Sequence, residues 1–187
     1  FYDNYNNYIY VSNSEIIYNG SVSAIKFNKE GKIIDAYQIC KGTNRNCAGG
    51  KTPWNTWLTC EEVNDGYVLE CYPLEKNKTP LKLEKLGKFN HEAASVDPVT
   101  GYIYLTEDTP KGLLYRFVSN DISDFTLNKE EGLNYKKPNM KDGHLQALKI
   151  DDKNNVTWVN IENVSSNTSE QGQNKGAHTF NGAEGIE

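Results

Sequence analysis

Short runs of apolar and aromatic residues alternate with polar residues along most of the chain, and almost no stretch repeats apolar residues at a helical period. Three of these runs share one shape, an alternating apolar segment with Thr or Ser that ends in acidic or amide residues. They are YIYVSNSE (8–15), NTWLTCEE (55–62) and GYIYLTED (101–108). The pattern predicts an all-β fold built from similar strands.

The three runs recur at a regular spacing. Val11, Leu58 and Leu105 follow one another at intervals of 47 residues. A glycine comes after each run, and a second strand follows it: SVSAIKF after Gly20, YVLECY after Gly66 and LLYRFV after Gly112. A third and less similar strand comes next, and turn sequences rich in Gly, Asn and Asp separate the strands. The chain is therefore predicted to contain a structural repeat.

One further strand opens each new unit. The openers are NCAGGKTPW (46–54), HEAASVDP (91–98) and GAEGI (182–186). Four strands in about 47 residues are typical of one blade of a β-propeller, whereas a solenoid or a β-sandwich is the competing all-β interpretation. We predict one partial propeller domain over 1–187, with blades at roughly 1–45, 46–90 and 91–181 and the start of another at 182–187.

About three blades are predicted, but propellers close with about four to eight. We therefore expect the chain, whose first residue is Phe1, to be part of a larger or processed protein. The polar segments 119–143 and 162–178 are predicted to be loops or insertions.

The composition of the chain makes some classes of binding partner unlikely. The net charge of -5 and the absence of a basic stripe argue against nucleic acid, and no apolar run has the length of a transmembrane segment. The four cysteines would allow two disulfides in an oxidising compartment.

The propeller prediction brings chemically active residues together, because the first strand of each blade lines the central channel. The openers and the ends of the following strands supply one thiol and several carboxylates: Glu15, Cys47, Glu61, Glu62, Glu92, Glu107, Asp108 and Glu184. Crowded carboxylates repel one another and take up protons unless cations bind. Oxygen ligands suit calcium, magnesium or manganese, and a thiolate points to a transition metal such as iron or zinc.

Each of these residues also has a plain structural interpretation. A strand-end Glu is usually solvated, and a lone Cys is usually an inert buried thiol. His91 and His144 would add imidazole ligands, and the alternative for His91 is a purely structural histidine. Trp54 and Trp57 are predicted to pack between blades. Gly49 and Gly50 allow either a close backbone approach or a positive φ.

The segments YVSNSE, GTNRNCAGGKTPWNTWLTCEE, HEAASVDPVTGYIYLTED, LLYRF and FNGAEGI resemble the PhoX family, also known as the DUF839 group. The resemblance runs from about Tyr8 to Ile186. It implies a six-bladed β-propeller and a secreted alkaline phosphatase, exported folded by the twin-arginine route, with iron and calcium near the propeller axis.

Carried over to this sequence, the resemblance makes Cys47 the thiolate ligand of iron. It makes Glu15, Glu92 and Glu184 carboxylate ligands, and it favours Glu62 over the neighbouring Glu61.

The chain departs from the family pattern at three positions. Ser14 stands where members usually have His. Asn55 stands where they have Gly, a tolerable change if the turn needs a left-handed residue. Gly182 stands where the phosphatase branch has an Arg that would contact phosphate, which weakens the phosphatase interpretation and places the chain nearer the uncharacterised branch.

The favoured hypothesis is a metal-dependent phosphomonoesterase whose substrate is a small phosphate ester, with Arg45 holding phosphate oxygens or pairing with a neighbouring carboxylate. Two alternatives remain open at this point. One is a non-catalytic propeller that holds structural calcium and binds a protein or a glycan. The other is a calcium-dependent hydrolase of the lactonase kind.

Overall fold

The computed structural model describes residues 1–121 and 137–187, which form three antiparallel sheets. Part of the predicted insertion 119–143, residues 122–136, lies outside the described residues. None of the helices in the described ranges has the length and apolar composition that a membrane crossing requires.

The strands follow the predicted repeat closely. The first sheet has the order β1 (Tyr8–Ser14), β2 (Gly20–Phe27), β3 (Ile33–Thr43). The second has the order β4 (Asn46–Lys51), β5 (Trp57–Glu61), β6 (Val68–Cys71), β7 (Leu81–Lys82), and a 3-10 helix follows at Glu84–Leu86. The third consists of β8 (His91–Val96), β9 (Ile103–Glu107), β10 (Gly112–Ser119), β11 (Gly143–Ile150) and β12 (Val156–Asn160). Thus β1, β5 and β9 are equivalent strands, and β4 and β8 are equivalent opening strands.

Three details differ from the sequence prediction. The segment 162–178 is not all loop, because it contains a helix, α1 (Thr168–Asn174), which is too short for its period to show in the sequence. The half-exposed strand β12 was not predicted. Residues 182–186 form no strand, since they pair with no described strand and Gly182 has a left-handed φ of 70°. Instead, β13 (Thr179–Phe180) pairs with the start of β10.

The sheets pack face to face, as blades of a propeller do. One core cluster joins the first and second sheets, with Ile9 and Val22 on one side and Cys71 on the other, and Trp57 packs against it. A larger cluster joins the second and third sheets, and Trp54 packs against it. The predicted packing of both tryptophans between blades is confirmed.

Two glycines of the opening strand β4 allow its backbone to come close to β5 and to β8. A Cβ atom on Gly49 would lie 2.0 Å from the carbonyl oxygen of Leu58 in β5, and one on Gly50 would lie 1.8 Å from that of Ala94 in β8. Of the two interpretations of this glycine pair, close backbone approach is therefore confirmed. The left-handed conformation predicted for Asn55 is also confirmed, with φ 61°.

Candidate metal centre

Each of the equivalent strands β1, β5 and β9 is followed directly by an acidic residue. The last residue of the strand is Ser14, Glu61 or Glu107, and the next is Glu15, Glu62 or Asp108. Successive side chains of an extended chain point to opposite sides. The two members of each pair consequently have different surroundings.

The first members, Glu61 and Glu107, are turned toward their own hairpins. The Glu61 carboxylate accepts backbone hydrogen bonds from Asn44 (2.9 Å) and Tyr67 (3.1 Å). The buried Glu107 carboxylate accepts hydrogen bonds from the Leu113 N–H (3.0 Å), the Tyr115 hydroxyl (3.0 Å) and the Ser169 hydroxyl. The structure does not bring these two predicted ligands to the metal-ligating groups described below.

The recurring glycine of each unit belongs to this hairpin arrangement. A Cβ atom on Gly66 would lie 2.0 Å from the carbonyl oxygen of Glu61, and one on Gly112 would lie 2.1 Å from that of Glu107. Only glycine allows the backbone to pass so close. The residue after the glycine can then donate its N–H to the glutamate, which explains the fixed spacing of Glu and Gly in the two units.

The second members converge with residues of the opening strands. One group consists of Glu15, Cys47 and Glu62, and another of Glu62, Glu92 and Asp108; within each group the ligand atoms lie within 4.8 Å of one another. We call these residues the central cluster. Glu62 belongs to both groups, so the central cluster has the form of two adjoining sites that share one carboxylate.

A bulge in each opening strand directs Cys47 and Glu92 toward the central cluster. In β4 the pairing passes from Asn46–Glu61 directly to Gly49–Thr59, so β4 has one more residue than β5 over this interval. In β8 it passes from His91–Glu107 to Ala94–Leu105, again with one extra residue. Bulges of this kind redirect side chains beside functional sites. The second and third sheets therefore each use a bulge to position a candidate ligand, Cys47 or Glu92.

Arg45 lies next to the central cluster and forms two ion pairs. Its Nη2 is 3.0 Å from Glu15 and 3.1 Å from Glu62. Its backbone has a left-handed φ of 45° and is held at both ends, because its N–H donates to Ile16 and its carbonyl accepts from Glu62. A non-glycine residue in this conformation is uncommon and occurs often at functional sites. Of the two predicted roles of Arg45, pairing with carboxylates is the one that the structure contains.

Burial makes three groups of the central cluster, Glu62, Glu92 and the Cys47 thiol, harder to ionise. Burial raises the pKa of Glu92, and the charges of Glu62, Glu184 and Asp108 raise it further. Burial likewise raises the pKa of Glu62, although Arg45 acts against this. The Cys47 thiol donates a hydrogen bond to Glu92 over 3.5 Å, and burial together with this contact raises its pKa well above the usual range.

Glu184 and Gly182 lie at the edge of the central cluster. Glu184 is exposed, and its charge acts on Glu92. A Cβ atom on Gly182 would lie 3.2 Å from Oδ1 of Asp108. The position that carries Arg in the phosphatase branch is therefore beside the central cluster, although a glycine with φ 70° occupies it here.

Neither candidate histidine joins the central cluster. His91 is fully buried, stacks on Phe89 at 3.6 Å between ring centroids, and forms a hydrogen bond between Nε2 and the Gly87 carbonyl (3.1 Å). Burial lowers its pKa to about 3. His144 is exposed on β11. The surroundings of His91 match its structural interpretation.

The cysteines outside the central cluster are buried. Cys40, Cys60 and Cys71, like Cys47, are free thiols, so the two disulfides that the sequence allows are not formed among these four described residues.

The sequence analysis overlooked Asn13. Its side chain connects β1 with the bulge of β4 through hydrogen bonds to the carbonyl oxygens of Cys47 and Ala48. The 47-residue interval aligns Asn13 with Cys60 and then with Glu107, so the repeat gave no sign of its role.

The comparisons with known proteins agree with this architecture. The chain is similar to a structure of Pseudomonas fluorescens PhoX in complex with vanadate, a transition state analogue, with a TM-score of 0.66 and 19% identity over 88% of this chain and 47% of that chain. The chain thus spans about half the length of that protein. No curated protein sequence matches it significantly. The family model for alkaline phosphatase PhoX matches residues 24–66 and 63–187, and the chain therefore belongs to the alkaline phosphatase PhoX family.

Proposed function

We propose that the chain provides metal-binding residues of a phosphomonoesterase, which hydrolyses small phosphate esters at a cluster of iron and calcium. The observation that supports this most strongly is the convergence of one thiol and four carboxylates in two groups that share Glu62. Family membership supports phosphate ester hydrolysis, as does the vanadate in the related structure.

The donor atoms of the central cluster fit these two metals. The group of Glu15, Cys47 and Glu62 combines a thiolate with carboxylates, a set that suits iron or another transition metal. The group of Glu62, Glu92 and Asp108 offers only oxygen, which suits calcium. Glu184 would add a further oxygen at the edge. Four carboxylates face one guanidinium, so cations would also relieve repulsion that Arg45 alone does not balance.

Bound metal ions would neutralise phosphate oxygens and increase the acidity of a bound water. The residues of the chain contribute positioning and charge. In the described part of the chain, Arg45 donates hydrogen bonds only through Nη2, which leaves Nη1 and Nε for phosphate oxygens. Glu92 accepts the hydrogen bond of the Cys47 thiol, so it is the group placed to receive that proton.

An exported location follows from the family resemblance and belongs to the same proposal. Calcium sites made of few protein ligands suit an environment in which calcium is abundant.

The test measures metal content and activity together. Iron, calcium and zinc are determined by elemental analysis in the purified full-length protein, and hydrolysis of an aryl phosphate is assayed on the same sample. We expect Cys47→Ser to lose iron and activity together, whereas Cys40→Ser, a buried cysteine outside the central cluster, retains both. Normal iron in Cys47→Ser would disprove the thiolate assignment. Calcium alone in the wild type, without hydrolysis, would favour a non-catalytic calcium-binding propeller.

A further inference from the structure

Asn13 uses every hydrogen-bonding position of its side chain. Its Nδ2 donates to the carbonyl oxygens of Cys47 (3.0 Å) and Ala48 (2.8 Å). Its Oδ1 accepts from the indole N–H of Trp57 (3.0 Å) and the hydroxyl of Thr59 (3.1 Å). A carboxamide has two N–H donors and two lone pairs on oxygen, so its capacity is filled. Trp57 can only donate, which determines which end of the amide faces it.

These contacts hold the bulge that carries Cys47. Cys47 and Ala48 are the two residues of β4 that interrupt its regular pairing with β5. Carbonyl groups in a bulge lose strand partners and need others. The side chain of Asn13, which lies in the neighbouring sheet, supplies an N–H donor to each of these two carbonyl groups. It therefore fixes the backbone from which the Cys47 thiol points toward Glu92.

The repeat explains why this bulge needs support from another sheet. In the third sheet, Thr106 of β9 accepts a hydrogen bond from the Ala93 N–H (3.1 Å), so the bulge beside Glu92 is held within its own sheet. The equivalent residue of β5 is Thr59, whose hydroxyl accepts a hydrogen bond from Asn46 Nδ2 (2.9 Å) and donates one to Asn13 Oδ1 (3.1 Å). The Thr59 hydroxyl thus bonds to two side chains, whereas the Thr106 hydroxyl bonds to the backbone of its bulge. Asn13 of β1, which bonds to Thr59, supports the backbone of the β4 bulge from across the interface.

We propose that Asn13 is a positioning residue for the thiolate site, which acts through the β4 bulge to hold Cys47 in a ligating position. This inference rests on the proposed metal centre and goes beyond it, since Asn13 is not itself a ligand in either group of the central cluster. Outer residues that orient metal ligands typically change metal affinity by about 10- to 100-fold when they are removed.

The experiment uses Co²⁺ alone as the probe and the full-length protein stripped of metal. Binding of Co²⁺ to a thiolate produces a charge-transfer absorption that a carboxylate site lacks, so the titration reports on the Cys47 site directly. We expect Asn13→Ala to weaken this binding by about 10- to 100-fold. Thermal unfolding without metal is measured in parallel, because Asn13 also joins two sheets.

A matched control separates positioning from general stability. Asn28 lies in the same sheet, at the turn between β2 and β3, where its Oδ1 accepts hydrogen bonds from the backbone of Glu30 (3.2 Å) and Lys32 (2.8 Å). Asn28→Ala should lower the unfolding temperature and leave Co²⁺ binding unchanged. If Asn13→Ala does not fold, Trp57→Phe removes one donor to Asn13 and keeps the ring. We expect a smaller but measurable loss of Co²⁺ affinity from it.

The outcomes distinguish this inference from the proposed function. If Asn13→Ala folds and its Co²⁺ affinity and absorption band are unchanged, the positioning role is overturned. If Asn13→Ala does not fold, the same result in Trp57→Phe overturns it. A thiolate band in the wild type without phosphatase activity would contradict the proposed function, while a weakened band in the variant would still support the role of Asn13. The absence of any thiolate band in the wild type would overturn both.

Discussion

The two acidic pairs at the ends of β5 and β9 contain neighbouring carboxylates in contrasting environments. Glu61 and Glu107 receive hydrogen bonds from N–H and hydroxyl groups of the surrounding protein. Glu62 and Asp108, one residue further on, face other acidic groups across the central cluster. A shift of a single residue therefore separates a carboxylate that stabilises a hairpin from one that is available to a metal ion.

The difference shows how a repeat can serve structure and chemistry at once. A carboxylate that accepts several hydrogen bonds from its own chain needs no cation. Carboxylates that face one another need one, and among the residues that the structure describes only Arg45 forms ion pairs with the central cluster. The first member of each pair should then affect stability, and the second should affect metal binding.

The largest effect is expected from Glu62→Gln. This carboxylate belongs to both groups of the central cluster, so its replacement removes one ligand from each. We expect metal affinity to fall by about a thousandfold or more, equivalent to about 4 kcal/mol. The measurement is a metal titration by calorimetry. Retention of both metals at wild-type affinity would contradict the assignment of Glu62 to the central cluster.

Glu107→Ala should instead lower the free energy of unfolding. The substitution leaves the buried Leu113 N–H and the hydroxyls of Tyr115 and Ser169 without their acceptor. We expect a loss of about 3 kcal/mol in chemical denaturation. Metal stoichiometry in the folded variant should equal that of the wild type. Loss of metal with unchanged stability would show that the two members of the pair had been assigned the wrong way round.

His91 and Glu92 repeat the same contrast in β8, because His91 pairs with Glu107 while Glu92 faces the central cluster. Burial lowers the pKa of His91 from 6.5 to about 3. The folded protein therefore keeps His91 neutral, whereas the unfolded chain takes up a proton below about pH 6.5. Its contribution to stability is complete above that pH and declines as the pH falls toward 3.

When the pH is lowered from 7 to 5, the free energy of unfolding of His91→Phe should accordingly fall by about 2 kcal/mol less than that of the wild type. Urea unfolding at both pH values measures this difference. His144→Gln, which replaces an exposed histidine of β11, is measured in parallel as the control. The same pH dependence in His91→Phe and in the wild type would mean that His91 is charged in the folded protein.

The smallest effect is expected from Glu61→Gln. Glu61 is half-buried and accepts hydrogen bonds from the backbone of Asn44 and Tyr67, and the amide oxygen of glutamine can still accept one of the two. We expect a loss of about 1 kcal/mol in the free energy of unfolding. Metal affinity, measured as for Glu62→Gln, should stay within about twofold of the wild type. A large loss of metal affinity would indicate that Glu61 is a metal ligand after all.

Much of the framework could be predicted from local patterns. Alternation of apolar and polar residues located β1, β5 and β9, and the 47-residue interval related them. Convergence of Cys47, Glu62 and Glu92 followed once the repeat was interpreted as blades. The helix α1 escaped prediction because seven residues are too few to display a helical period. Residues 182–186 were predicted as a strand from their similarity to other openers, although they have no described pairing partner.

The sequence by itself determined the all-β architecture, the repeat and the set of candidate ligands, because strand alternation and turn residues act over a few neighbouring positions. Only the tertiary structure decided which carboxylate of each pair enters the central cluster, since that depends on hairpin geometry and on the bulges of β4 and β8. It also decided the placement of Asn13, whose hydrogen-bond partners lie 34 to 46 residues away in the next sheet. Contacts at such separation arise from the packing of whole sheets, which no local pattern encodes.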